Sequence, residues 1–240
     1  MSELECLHKE KIMKSELYRE MQKSTPGLSY NAFTLRIHRL VKEGKLVKIG
    51  RDVYSPCENV RKIYNHEYSA TAEKAAALLI SQFPGTDFRI FELTQLNDFL
   101  NHLIARNYLF ISTVGESSDF IFDPMRNLFP GNVMLRPDKE NYFRYRTDDT
   151  IILQKLPTET PKGRKQFWHT DLEKMLVDVF VDPLIRGSFS ENEIPMIYED
   201  SFSEYILDKD RLSRYARRRG AERKLREYIS KETEISLRRE

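Results

Sequence analysis

The stretch from Ser29 to Pro56 constrains the fold of this chain most, because it joins one helical repeat of apolar residues to two short alternating runs. Ser29 belongs to a residue type that caps helices. Apolar residues then recur at helical spacing. They predict one buried stripe made of Phe33, Ile37, Leu40 and Val41. We therefore predict an amphipathic helix that ends at Glu43 and Gly44, where Gly44 takes the positive φ of a helix stop.

Two short strands are expected after this helix. Residues 46–49 and 53–54 are rich in strand-forming side chains and flank a turn at Gly50 and Arg51. A shorter helix upstream is indicated by three apolar residues spaced four apart, namely Met13, Leu17 and Met21. The order helix, turn, helix, hairpin is that of a winged helix.

A winged helix typically offers its second helix to the base edges of the major groove, while cations near the helix ends and on the wing contact phosphates. The expected base-contacting residues are Asn31, Thr34 and His38, and Ser29, Tyr30 and Arg36 complete the expected DNA-binding set of this helix. The expected phosphate contacts are Lys45, Lys48 and Arg51. The alternative is a winged helix that mediates only protein contacts, with its charges forming a solvated face. We favour duplex DNA as the partner because the segment is basic.

The net charge of +2 conceals an uneven distribution. Residues 1–56 hold 11 Lys and Arg against 7 Asp and Glu, and residues 209–240 hold 12 against 6. The middle, residues 57–208, is acidic, with 16 against 24. Binding of a polyanion should therefore involve the ends. The densest cationic cluster is Arg217, Arg218 and Arg219, for which nucleic-acid contact and pairing with the acidic middle both remain open.

The length of 240 residues requires a second domain with its own core. We predict an α+β fold, with a winged helix at residues 1–57 and an α/β domain at residues 58–240. Its first half, residues 58–156, alternates helices with short strands, and its second half, residues 168–240, is mainly helical. Strands are expected at residues 88–91, 108–114, 132–136 and 150–156. Helices are expected near residues 69–83, 93–104, 119–128, 170–182, 194–205 and 211–230. Residues 140–146 are ambiguous, and residues 157–165 read as a surface loop or hinge.

Acidic residues raise the possibility of an enzyme. Asp178 and Asp182 lie four apart, which places both carboxylates on one helix face and would suit acid–base chemistry. Lys174 lies four residues before Asp178, so we favour an ion-paired helix face. Asp138 follows an expected strand, as in a nuclease motif, but the matching acidic residue and lysine are missing from the next strand.

No metal site or cofactor site is predicted. The five histidines show no HxH or HExxH spacing, and Cys6 and Cys57 are interpreted as free thiols. Neither a phosphate-binding glycine loop nor a GxSxG motif occurs. Trp168 is assigned to the core. Without a catalytic set, a signal-peptide pattern or a membrane-length apolar run, we expect a cytoplasmic protein that is not an enzyme.

Two regions of the chain together resemble the AbiEi-type antitoxins of bacterial abortive-infection (type IV toxin–antitoxin) systems. The first is LVKEGKLVKIGRDVYSP, at residues 40–56, and the second is HTDLEKMLVDVFVDP followed by LSRYARRRGAERKLREYI, at residues 169–183 and 212–229. The resemblance departs from the family pattern at Asp52, where the family usually has glycine. It does not extend to residues 58–155.

The resemblance implies a transcriptional autorepressor that binds repeated sites in its own promoter through a winged helix. It also implies an antitoxin that counteracts a nucleotidyltransferase toxin without a stable complex. The family's DNA-reading helix would correspond to residues 29–43 here, with Lys45, Lys48 and Arg51 in the wing. Two alternatives stay open. One is a nuclease-like or nucleotide-handling enzyme targeted to DNA, and the other is an interaction module whose acidic middle binds a basic partner.

Overall fold

The computed structural model describes residues 11–42, 45–56 and 61–235, which form helices and two separate β-sheets. The predicted α+β class is therefore confirmed. The predictions for Gly44 as a helix stop and for Cys6 and Cys57 as free thiols concern residues outside the described ranges.

The N-terminal unit consists of two helices and a three-stranded antiparallel sheet with strand order β1-β3-β2. Its elements in chain order are β1 (Ile12–Met13), α1 (Lys14–Ser24), α2 (Tyr30–Lys42), β2 (Leu46–Gly50) and β3 (Val53–Pro56). Both predicted helices and both predicted strands are confirmed. Strand β1 was not predicted, because two residues are too few to show an alternation of apolar and polar side chains. Its Ile12 pairs with Tyr54 of β3.

The core of this unit lies between the two helices and the sheet. Phe33, Ile37 and Leu40 of α2 are buried as predicted and pack with Leu17 and Met21 of α1. Two members of the predicted apolar stripes are not in this core. Val41 is 38% exposed, because it lies at the edge of the helix surface that faces the sheet, and Met13 is exposed in β1 instead of leading α1.

The turn of the β2–β3 hairpin contains the position at which Asp replaces the glycine of the resembled family. Asp52 has φ = +57°, a left-handed conformation that glycine adopts without steric cost and that Asp tolerates better than most residues. Its carbonyl accepts a hydrogen bond from the backbone N–H of Lys14 at 2.7 Å. The turn is thus tied to the start of α1 despite the departure from glycine.

A four-stranded sheet with strand order β4-β5-β7-β6 forms the centre of the larger domain. Its strands are β4 (Phe88–Glu92), β5 (Leu109–Thr113), β6 (Val133–Leu135) and β7 (Ile151–Lys155). β4 runs antiparallel to β5, whereas β5, β7 and β6 are parallel. All four predicted strands are confirmed.

Both faces of this sheet are covered, because successive side chains along a strand point to opposite sides. Ile90, Ile111 and Leu153 pack on one side in a core shared with α3 (Ala70–Gln82) and α4 (Ser117–Leu128). On the other side lie Phe110 and Ile152, in the core formed with the C-terminal helices. The ambiguous segment at residues 140–146 is a helix, α5 (Lys139–Tyr145).

The C-terminal part is helical, as predicted. It contains α6 (Leu172–Val181), α7 (Pro183–Arg186), α8 (Ile194–Glu204), α9 (Lys209–Arg218) and α10 (Glu222–Glu232), with a 3₁₀ turn at Glu191–Glu193. α6 is enclosed by its neighbours, so that even Glu173, Lys174 and Asp178 are buried. No helix in the described ranges is both long enough and apolar enough to cross a membrane.

Three helix predictions were wrong in detail. Of the predicted helix at residues 93–104, only Leu93–Asp98 is helical, and it is a 3₁₀ helix. The Asn97 side chain hydrogen-bonds the backbone N–H and C=O of Ile104 and so closes a loop. The helix at residues 211–230 is divided into α9 and α10 at Gly220, which has φ = +65°. Thr170 does not cap α6, because its hydroxyl donates to the carbonyl of Ile90; the cap residue is Asp171.

Candidate nucleic-acid interface

The outward face of α2 is defined by helical geometry. Residues three or four apart share a helix face, so Asn31, Leu35 and His38 form one row opposite the buried Phe33 and Leu40. All three row members are exposed, and Leu35 is 71% exposed. Asn31 and His38 were predicted to face outward, but Leu35 was left out of the predicted base-contacting set. Its helical spacing from Asn31 was the signal that would have included it.

The first turn of α2 is fixed by local contacts. The Ser29 hydroxyl accepts a hydrogen bond from the backbone N–H of Ala32 at 3.2 Å, which confirms the predicted cap. The Tyr30 ring packs against Tyr18, with ring centroids 5.5 Å apart, and the ammonium of Lys14 lies 5.2 Å from the centroid of the Tyr30 ring. A hydrogen bond with Tyr30 raises the pKa of Lys14. Ser29 and Tyr30 therefore position the helix start.

Thr34, a predicted base-contacting residue, and Arg36, a predicted DNA-binding residue, are half-buried and engaged within the unit. The Thr34 hydroxyl donates to the carbonyl of Tyr30 at 2.9 Å. The Arg36 guanidinium donates to the Thr25 hydroxyl at 3.4 Å, in the loop between α1 and α2. The structure thus places these side chains at the flanks of α2 and leaves Asn31, Leu35 and His38 at the centre of its outward face.

Lys45, Lys48 and Arg51 are exposed on and beside the β2–β3 hairpin, and β2 contacts α2. Within the described ranges, no ion pair involves the side chain of Lys48 or Arg51. The hairpin next to α2 therefore has two cations that are available to an anionic partner.

The tip of the hairpin is docked on the C-terminal part of the chain. The backbone N–H of Arg51 donates to the carboxylate of Asp210 at 2.6 Å, in the first turn of α9. Asp208 caps the same helix by accepting from the N–H of Arg211 at 2.9 Å. This contact fixes the direction of the hairpin relative to the larger domain, while the Arg51 side chain remains exposed.

The second predicted basic surface, Arg217 to Arg219, is occupied by carboxylates. Arg217 pairs with Glu222 at 2.7 Å, Arg218 pairs with Glu159, and Arg219 pairs with Asp178 at 2.7 Å. Glu159 and Asp178 both belong to the acidic middle of the chain. Of the two alternatives for this cluster, pairing with the acidic middle is what the structure shows for Arg218 and Arg219.

Asp178 is the centre of a buried polar network. It accepts from Lys174 at 2.5 Å, from the Tyr215 hydroxyl at 3.0 Å and from Arg219 at 2.7 Å. Burial raises the pKa of Tyr215, so the phenol stays protonated and donates. The predicted Lys174–Asp178 ion pair is confirmed, although it lies in the core and not on a solvated face.

The other carboxylates considered for catalysis cap helices. Asp182 accepts from the N–H groups of Leu184 at 2.9 Å and Ile185 at 3.3 Å, and burial raises its pKa. Asp138 accepts from the N–H of Asn141 at 2.7 Å, at the start of α5. Over residues 11–42, 45–56 and 61–235, no group of three or more His, Cys, Asp and Glu side chains is arranged to hold a metal ion.

An open cleft of about 420 Å³ lies between α3 and the loop before α6. His169 lines it with Tyr68, whose ring centroid lies 4.4 Å away, and with Trp168, which is buried as predicted. Burial lowers the pKa of His169 to about 4, and its Nε2 has no hydrogen-bond partner among the described residues. No sequence motif predicted this cleft, because its walls come from segments nearly 100 residues apart.

These features define an α+β protein whose N-terminal unit presents an exposed helix face beside a cationic hairpin. Residues 32–235 match the model of DUF6577, described as a family of unknown function, and the chain belongs to that family. No curated protein matches the sequence. Among solved structures, the RV2827C protein from Mycobacterium tuberculosis is similar at 10% identity over 98% of this chain and 80% of that one. Its TM-score of 0.24 supports no inference about fold or function.

Proposed function

We propose that the N-terminal unit is a winged helix that binds duplex DNA and that the protein represses its own promoter. The observation that carries the proposal is the exposed outward face of α2, which lies beside two hairpin cations. The opposite face of α2 is buried in the core, and Ser29 caps the start of the helix. These cations, Lys48 and Arg51, form no ion pair with any described residue. A helix of this width fits the major groove, and cations beside it are suited to the phosphates that flank the groove.

The two sets of residues have different roles in this proposal. Asn31 and His38 are positioned to hydrogen-bond base edges, and asparagine is suited to the N6 and N7 atoms of adenine. Lys48 and Arg51 contact phosphates and set the register without reading sequence. One such unit covers a short site, so two or more copies on adjacent repeats are expected to give occupancy.

The antitoxin role is proposed on the resemblance to AbiEi-type antitoxins alone. In this proposal the protein acts in the bacterial cytoplasm and counteracts a nucleotidyltransferase toxin without forming a stable complex. A nucleotidyltransferase toxin of the kind that this resemblance implies should arrest growth when expressed alone, and co-expression of the wild-type protein should restore growth. The Lys48→Ala/Arg51→Ala variant should also restore growth but should lose repression of a promoter reporter. Failure of the wild-type protein to restore growth would remove the antitoxin role and leave DNA binding standing.

DNA binding is tested by a gel-shift titration on the region upstream of the protein's own gene, beside a random duplex of equal length and base composition. The wild-type protein should prefer its own region, and Asn31→Ala/His38→Ala should lose that preference while still binding both duplexes. Equal wild-type affinity for the two duplexes would overturn the autorepressor proposal. Loss of all DNA affinity in the helix variant would contradict the assignment of base-contacting residues.

A further inference from the structure

Leu35 occupies the middle of the row that also contains Asn31 and His38 on the outward face of α2. It is one of the most exposed large apolar side chains among the described residues, at 71%. Phe33, Ile37 and Leu40, which lie on the opposite face of α2, are buried in the N-terminal core. Leu35 therefore contributes nothing to that core and stands where the groove floor would lie in the proposed complex.

The surroundings of Leu35 favour a small apolar target. Its helix neighbours at three and four residues are Asn31, Ala32, His38 and Arg39, so most of the adjoining side chains are polar or cationic. A protein-docking patch normally joins several apolar side chains over a few hundred Å². A single leucine among polar side chains and one arginine, on the helix next to the cationic hairpin, instead suits a surface that is anionic overall and carries isolated methyl groups. The major groove of DNA has this character, because thymine displays a C5-methyl group there.

We propose that Leu35 determines sequence specificity by packing against the C5-methyl group of thymine in the major groove. This inference rests on the proposed DNA-binding function and extends it, because it assigns a base-reading role to an apolar residue. Asn31, one helical turn earlier, is placed to read an adenine near the same thymine. The preferred site is therefore one in which A·T pairs lie under the centre of α2.

The test uses the same upstream DNA region prepared in two forms, by amplification with dTTP or with dUTP, since uracil lacks only the C5-methyl group. Wild-type protein should bind the uracil form about fourfold more weakly for each thymine methyl group that Leu35 covers, which follows from the free energy of burying one such group. Leu35→Ala should bind both forms equally. Leu103→Ala is the matched control, since Leu103 is 72% exposed but lies in a loop of the larger domain; it should behave like wild type.

The outcomes separate this inference from the function on which it rests. Equal wild-type affinity for the thymine and uracil forms, with binding above that of random duplex, would overturn the role of Leu35 and retain DNA binding. No binding above random duplex on either form would overturn both. An equal sensitivity to uracil in wild type and Leu35→Ala would assign the methyl contact to another residue, and so would also overturn the inference. Circular dichroism and sedimentation of Leu35→Ala should match wild type; a change in oligomeric state would place Leu35 in a protein interface and overturn its role as a base reader.

Discussion

The two ends of the chain are both basic, but the structure uses their cations differently. In the N-terminal unit, Lys48 and Arg51 are exposed and make no ion pair in the described part of the chain. In the C-terminal helices, Arg218 and Arg219 pair with carboxylates of the acidic middle. Arg217 to Arg219, the densest cationic cluster in the sequence, is paired with carboxylates, whereas the two hairpin cations are not. The positions of the carboxylates, rather than the density of arginine, decide which of these two clusters is available to a polyanion.

This difference follows from how each region is built. α6 lies in the core of the larger domain, and its buried charges need partners because an unpaired buried charge is strongly unfavourable. α9 and the residue that follows it supply such partners with Tyr215 and Arg219. The N-terminal unit has an apolar core without buried ion pairs among its described residues, so this core contains no carboxylate that would draw in Lys48 or Arg51.

The largest expected effect is the loss of stability on removing the centre of the buried network. Asp178→Ala should lower the free energy of unfolding by about 3–5 kcal/mol, because it leaves Lys174 and Arg219 without their buried acceptor. Chemical denaturation measures this. Arg218→Ala, which removes an exposed pair, is the matched control and should change stability little. Comparable losses in the two variants would show that the buried network around Asp178 contributes no more to stability than the exposed pair formed by Arg218.

Acid should weaken the larger domain through His169. Burial lowers its pKa in the folded protein to about 4, below the value of about 6.5 expected in the unfolded chain. The unfolded state therefore takes up a proton first, and stability should fall as the pH drops from about 6.5 to about 4. Thermal unfolding of wild type and His169→Asn across this range measures the effect, which should be smaller in the variant. An unchanged pH profile in the variant would show that His169 does not titrate in this range.

The contact between the two regions is expected to have a moderate effect. Asp210→Asn weakens the acceptor for the Arg51 N–H and should cost about 1 kcal/mol of stability. If the docked hairpin places Arg51 for DNA binding, affinity should also fall. Glu199→Gln, at an exposed position of α8, is the control that removes one negative charge elsewhere. Unchanged DNA affinity in Asp210→Asn would show that the contact with α9 is not needed to place Arg51 for DNA binding.

The smallest effect concerns the hairpin turn. Asp52→Gly should raise stability by up to about 1 kcal/mol, because glycine adopts the observed φ of +57° without steric cost. Denaturant unfolding measures the change, with Asp52→Ala as the contrasting variant that should lose stability. A loss of stability in the glycine variant would mean that the Asp52 side chain contributes more than the backbone strain removes.

Local patterns in the sequence predicted most elements correctly. The spacing of Phe33, Ile37 and Leu40 predicted α2, and the strand-forming run at residues 108–114 predicted β5. The prediction failed where a tertiary contact or a single residue overrides periodicity. The apolar spacing after Leu93 continues to Ile104, but the Asn97 side chain closes a loop there. The sequence predicted one helix over residues 211–230, but Gly220, with φ = +65°, divides it.

The candidate site was predicted in part. The cap at Ser29 and the outward positions of Asn31 and His38 follow from local helical geometry. The engagement of Arg36 by Thr25 and the docking of the hairpin on Asp210 depend on tertiary contacts with residues outside α2, which periodicity does not describe. Leu35 belonged to neither the predicted apolar stripe nor the predicted base-contacting set.

The salt dependence of DNA affinity tests the central claim most directly. Titrations on the upstream region at several salt concentrations should show that Lys48→Ala/Arg51→Ala flattens the slope of log affinity against log salt by about two, close to one for each phosphate that no longer meets a cation. Arg217→Ala/Arg218→Ala should leave the slope near that of wild type. A flattened slope in the C-terminal variant and an unchanged one in the hairpin variant would contradict the account, because the polyanion would then bind the other end of the chain.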